Sequence, residues 1–183
     1  MSANSIFKLR TQHSKTVGVA GGKMQKADPK LVLQKLDEID GARGTVSQVF
    51  DASSIAGPDH LFHATRLAII ARESGRGLAD SLKMDLLCWV SGERRINEAL
   101  KKVGLHDGRE LAFLVVGGST GQVRTALADI FKLEVKRDDK LLGLSVKKEK
   151  KLKQVFSISQ TESSVAPVRD LILERVALLS LEG

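Results

Sequence analysis

The chain contains one cysteine, Cys88, one tryptophan, three prolines and no tyrosine among its 183 residues. A single thiol cannot close an internal disulfide, so packing alone must hold the fold, as suits a reducing compartment. Aromatic side chains make up 4% of the sequence, too few for the stacking surfaces with which the common single-strand RNA modules hold several bases. No apolar run approaches the roughly 18 residues that a membrane-spanning helix needs, and the opening MSANSIFKLRTQ has no apolar segment of a signal peptide. These absences predict a soluble, cytoplasmic protein with no membrane partner. Also missing are paired cysteines, histidines clustered at metal-ligand spacing, and a nucleophile beside a base and its orienter. No metal, cofactor or small-molecule substrate is therefore expected, and the chain reads as a binding protein.

What is present is ordinary in amount and uneven in charge. Hydrophobic residues are 42% and charged residues 28%, and the length fits one domain with a real core, residues 1–183. Lysine and arginine number 29 against 22 acids, giving +7. Such an excess is compatible with phosphate backbones as partners. Residues 132–153 are the most basic part, with nine cations against four acids, and read as a solvated loop or short helical segment able to extend a nucleic-acid footprint.

In chain order, residues 5–22 fit one or two short strands with a glycine turn. Asp28 and Pro29 then form an N-cap and first-turn pair for a helix carrying Leu31, Leu33, Leu36 and Ile39 and closed by Gly41. The β-branched run at residues 45–52 predicts a strand. Gly57-Pro58 opens the next helix, in which Leu61, Ala64, Leu67, Ala68 and Ala71 make one apolar stripe ending near Gly75 or Gly77. A second helical run starts at about Leu78 and stops at Ser91-Gly92, and a third runs from Glu93 to Gly104 as a left-handed cap. ELAFLVVGG predicts a central strand buried on both faces, followed by a helix capped by Ser119 or Thr120. KQVFSISQTE alternates and predicts a last strand; residues 166–181 predict a C-terminal helix. The pattern is α+β: a single domain with a mixed, mostly antiparallel sheet of four to five strands packed with helices.

Asp51-Ala52, Gly57-Pro58-Asp59-His60-Leu61, Leu86-Leu87-Cys88-Trp89, Ser91-Gly92-Glu93-Arg94-Arg95-Ile96 and the closing ILERVALLSLE occur in an order that covers nearly the whole chain. In this the sequence resembles the small kinase-binding subunit family of the KEOPS (EKC) complex, which includes the PRPK-binding protein TPRKB, and the closing helix resembles its archaeal type. The chain departs from the pattern at Asp85, where glutamate is usual, at Trp89, where tyrosine or a smaller residue is usual, and at Arg95, where glutamine is usual. The resemblance implies a non-catalytic subunit of the machinery that installs threonylcarbamoyl on tRNA adenosine. It also implies two partners, the complex's small atypical kinase/ATPase and the tRNA 3' CCA end.

On that resemblance the RNA surface is assigned to His60, Ser91, Gly92, Arg94, Arg95, Lys101 and Lys102, with Ser91 and Gly92 offering backbone groups where a helix opens. The kinase surface is assigned to an apolar patch from Ile69, Ile70, Leu82, Met84, Leu86 and Leu87. Each residue also has a plain structural reading, His60 bonding a backbone carbonyl and the apolar residues packing the core. Two other functions stay open: a protein adaptor that tunes the kinase without touching RNA, and an enzyme holding a phosphorylated ligand at the glycine turn of residues 117–124. The turn lacks the Gly-Lys-Ser/Thr ending of a Walker loop.

Overall fold

A computed structural model describes residues 5–25, 28–106 and 108–181. In chain order its elements are β1 (Ser5–Leu9), β2 (Lys15–Lys23), α1 (Pro29–Arg43), β3 (Val46–Asp51), α2 (Pro58–Glu73), α3 (Leu82–Ser91) and α4 (Ile96–Val103). There follow β4 (Glu110–Gly117), α5 (Thr120–Ile130), β5 (Lys136–Arg137), α6 (Val146–Val155), α7 (Gln160–Val165) and α8 (Val168–Leu178). The chain divides into two compact units, one of Met1–Ala52 with Leu105–Leu141 and one of Ser53–Gly104 with Leu142–Gly183.

The first unit is built on the sheet. Its strand order is β1-β2-β4-β3, with β5 also paired to β2. Every pairing among the described residues is antiparallel, so the α+β class and five strands are as expected and the parallel component of a mixed sheet is not found. Leu111 to Val116 of β4 are all buried, as a central strand requires. Helices α1 and α5 pack on one face, where Leu36, Val49, Phe113, Val123 and Ile130 belong to one core cluster. The glycines of residues 18–22 make no turn. They lie inside β2, and a Cβ at Gly18 would come within 2.5 Å of the Val123 side chain, so the missing side chain lets α5 approach the strand. At the β3 end of the sheet, the Ser47 N–H donates to Asp40 at 2.8 Å and the Val49 N–H to the Gln48 side chain at 3.0 Å. Those side chains occupy donors that would otherwise template another strand.

The second unit is helical. Helix α2 packs on α3 and α8, and α3 on α4. Pro58 begins α2 after Gly57 (φ 102), and Gly75 (φ 71) closes it. Five boundaries differ from the sequence reading, and one is the start of α4, at Ile96 and not at Glu93. Gly41 lies within α1, and the left-handed cap is Gly44 (φ 65). Helix α3 begins at Leu82, capped by the Ser81 side chain. Gly104 has φ −65 and serves close approach instead, since a Cβ there would sit 2.4 Å from the Leu100 carbonyl oxygen. The expected last strand is absent: α6 runs to Val155, the chain turns at Ser157 (φ 52), and Ser159 opens α7. The reason is a capping box, in which the Ser159 side chain accepts from the Glu162 N–H and the Glu162 carboxylate accepts from the Ser159 N–H.

Candidate functional site

In the second unit, the segment between α2 and α3 is organised by one buried carboxylate. Asp85, on the first turn of α3, is fully buried. Its Oδ1 accepts the Leu78 and Ala79 N–H groups, each at 2.8 Å, and its Oδ2 accepts Arg72 Nη1 at 2.6 Å. Arg72 completes the tie by donating to the carbonyls of Ala79 (3.1 Å) and Asp80 (2.8 Å). A buried charge is tolerable only when so satisfied. The side chain that departs from the family pattern by being one carbon shorter is thus fully bonded, with residues 77–80 drawn in to meet it.

That segment forms one wall of a pocket of about 280 Å³. Leu67, Ile70, Leu78 and Leu179 line it with apolar surface, and Arg76 and Arg94 add two cations. Trp89 lines it as well, and its buried indole N–H has no hydrogen-bond partner among the described residues. A buried donor without an acceptor costs about 1–3 kcal/mol. The volume lies just below the roughly 300–1,000 Å³ of ordinary small-ligand sites.

His60 lies in the first turn of α2 with no exposed surface. Its Nδ1 accepts the Ala56 N–H at 3.1 Å, which leaves the ring proton on Nε2, donated to the Val90 carbonyl at 2.8 Å. Phe156 packs edge-on against the ring, 5.6 Å between centroids. Burial holds the imidazole pKa down at about 4, so the ring is neutral at pH 7 and ties the entry of α2 to the end of α3. This burial and the two backbone hydrogen bonds make His60, expected on the RNA surface, a clamp. Ser91 is engaged likewise: it is buried, its hydroxyl donates to the Cys88 carbonyl at 2.8 Å and accepts the Glu93 N–H at 3.1 Å. Gly92 (φ 67) is the left-handed cap of α3, so these residues close one helix and do not open the next.

Of the remaining cations, Arg94 and Arg95 are exposed, and only Arg94 lines the pocket. Lys102 pairs with Glu93 at 2.5 Å and lies 5.2 Å over the Phe156 ring; Lys101 pairs with Glu98 at 2.9 Å. Among the apolar candidates, Ile69, Leu86 and Leu87 are buried and belong to the core, a correction set by their helix faces. Ile70, Leu82 and Met84 keep exposed surface. Sequence reasoning missed Arg72, Arg76, Leu78 and Leu179, and placed no function on Trp89. The signal available was Asp85 itself, an acid among apolar residues on a buried helix. Cys88 is buried, its thiol pushed up to about 11 by burial and then by Asp85, so it is inert. Among the described residues no group of three His, Cys, Asp or Glu side chains could hold a metal, and no helix is long and apolar enough to cross a membrane.

Fold and site together define an α+β protein with a partly apolar, arginine-edged pocket in its helical unit. Residues 28–180 match the family described as kinase binding protein CGI-121, and the chain belongs to that family. The regulatory protein Cgi121 of Methanocaldococcus jannaschii is 26% identical over 139 residues, spanning 76% of this chain and 86% of that protein. The family indicated by the ordered motifs of residues 51–96 is thereby established.

Proposed function

We propose that this chain, acting as one family domain over residues 1–183, is a non-catalytic regulatory subunit of a cytoplasmic KEOPS complex for threonylcarbamoyladenosine modification of tRNA. In this reading it binds and supports the small kinase/ATPase, and it captures the tRNA 3' CCA end. Membership in a family described as kinase-binding supports the first partner. The observation that carries the second is the pocket, with apolar walls and with Arg76 and Arg94 among its lining residues. A splayed terminal base packs on such apolar walls while a guanidinium meets the adjoining phosphate. The kinase contact falls to the exposed parts of Leu82 and Met84, while Ile70 lines the pocket.

The test is binding of the protein to intact tRNA and to tRNA lacking CCA at matched salt, with Arg94→Ala and Arg95→Ala in parallel. Preference for the intact end is expected, with Arg94→Ala reducing it by about 1–3 kcal/mol. Equal affinity for both RNAs would refute tRNA-end capture. The adaptor without RNA contact would then stand, a reading favoured by the structural engagement of His60, Ser91 and Lys102.

A further inference from the structure

Helix α6 carries five lysines and one glutamate within ten residues, VKKEKKLKQV. Packing separates those lysines into two sets. Lys148 is buried and donates to the Gly143 carbonyl at 3.2 Å, and Lys151 donates to the Ser53 hydroxyl. Leu152, buried beside Lys148 on the inward face, fixes the rotation of the helix. Lys147 and Lys150 are exposed and Lys153 is half-buried, and the side chains of all three have no hydrogen bond or ion pair among the described residues. This contrasts with Lys35, Lys101, Lys102, Lys132 and Arg175, each of which has a carboxylate partner. The three free cations recur every third residue, so each is displaced about 4.5 Å along the axis and 60° around it from the last, forming one slanting ridge about 9 Å long.

We propose that this ridge is a sequence-independent contact for the phosphate backbone of RNA, separate from the pocket. The charge selects an anionic partner, and the residue type selects among anions. Lysine is depleted in protein–protein interfaces, where aromatic residues and arginine dominate, and the ridge has neither. Flexible ammonium groups in a row suit a backbone of repeating charges, where strict geometry is not needed. The choice of RNA over DNA rests on the function proposed above; the phosphate contact itself rests on α6.

The experiment compares the full-length protein with the triple variant Lys147→Gln, Lys150→Gln, Lys153→Gln. A control variant of equal charge change outside the basic segment of residues 132–153, Lys8→Gln, Lys15→Gln, Lys30→Gln, is measured beside them. Each is titrated with intact and CCA-less tRNA across about 50–200 mM salt, a range over which phosphate contacts show clearly. The ridge variant is expected to flatten the slope of log K against log salt by about 2–3 on both RNAs, at about 0.7–0.9 per phosphate lost. Its ratio of intact to CCA-less affinity should match the unmodified protein, and the control should flatten the slope by less than about 1. An unchanged slope, or a control that flattens it equally, overturns the proposal. So does loss of kinase co-purification in the ridge variant with the slope intact, since the ridge would then be a protein contact. A ratio near one in the unmodified protein refutes CCA capture alone, because the slope still reads the ridge.

Discussion

Replacement of His60 by glutamine gives the sharpest test of the clamp. The buried ring has a pKa of about 4 in the folded protein against an ordinary 6.5. Between those values the unfolded chain binds a proton that the folded chain refuses, so acid favours unfolding. His60 therefore contributes its full stability above pH 6.5, and the contribution falls as pH drops, by about 2 kcal/mol at pH 5 and about 3 kcal/mol at pH 4. Glutamine does not titrate. At pH 7 the His60→Gln variant should be weaker by about 1–3 kcal/mol, since it pairs the Ala56 N–H and Val90 carbonyl imperfectly. As pH falls the two stability curves should converge, and between about pH 5 and pH 4 the variant should equal or overtake the parent. His63, also shifted down by burial and then by Arg66, is present in both proteins and cancels. Urea unfolding followed by the single buried tryptophan, Trp89, supplies the measurement. A difference in stability that stays constant from pH 7 to 4.5 would refute both the neutral tautomer and the clamp.

Three further outcomes test the surroundings. Asp85→Ala should cost about 3–5 kcal/mol in urea unfolding, because it strands the Leu78 and Ala79 N–H groups and Arg72, and a double-mutant cycle with Arg72→Ala should show coupling of about 0.5–3 kcal/mol. Gly92→Ala should lower stability by about 1 kcal/mol through its left-handed φ, with secondary structure by circular dichroism unchanged. Cys88 should resist a thiol-reactive dye at pH 8 in the folded protein and label fully in denaturant; rapid labelling of the folded protein would contradict its burial and raised pKa.

Much of the fold was legible because its signals are local. Asp28-Pro29 and Gly57-Pro58 fixed two helix starts, and the unbroken apolar run of residues 111–116 marked the central strand. Where two local signals competed, the weaker one was easy to follow. The alternation of Val155, Phe156 and Ile158 suggested a strand, yet Ser159 with Glu162 is a capping box, and a reciprocal pair of hydrogen bonds outweighs a short alternation. Gly41 and Gly44 are equally plausible stops by composition; only the backbone shows which adopts positive φ. The site was less legible than the fold because it depends on rotation and on pairing across the lobe. Nothing in the local sequence separates buried Ile69 from half-exposed Ile70, or Lys102, bound to Glu93, from Arg94 beside the pocket. Trp89 looked like a core residue and is one, but its unpaired nitrogen is a property of its neighbours.

The Asp85 hub also bears on the thermodynamics of whatever enters the pocket. Ordering a free loop costs roughly 1–2 kcal/mol for each residue fixed, a debt that a binding partner must normally settle at the moment of contact. Here the backbone of residues 78–80 gives up that freedom during folding, through bonds to a carboxylate and a guanidinium that lie outside the pocket lining. Association should then proceed without a slow rearrangement, and affinity should depend on the contacts themselves. A weakened hub would loosen binding through disorder even with every lining side chain intact.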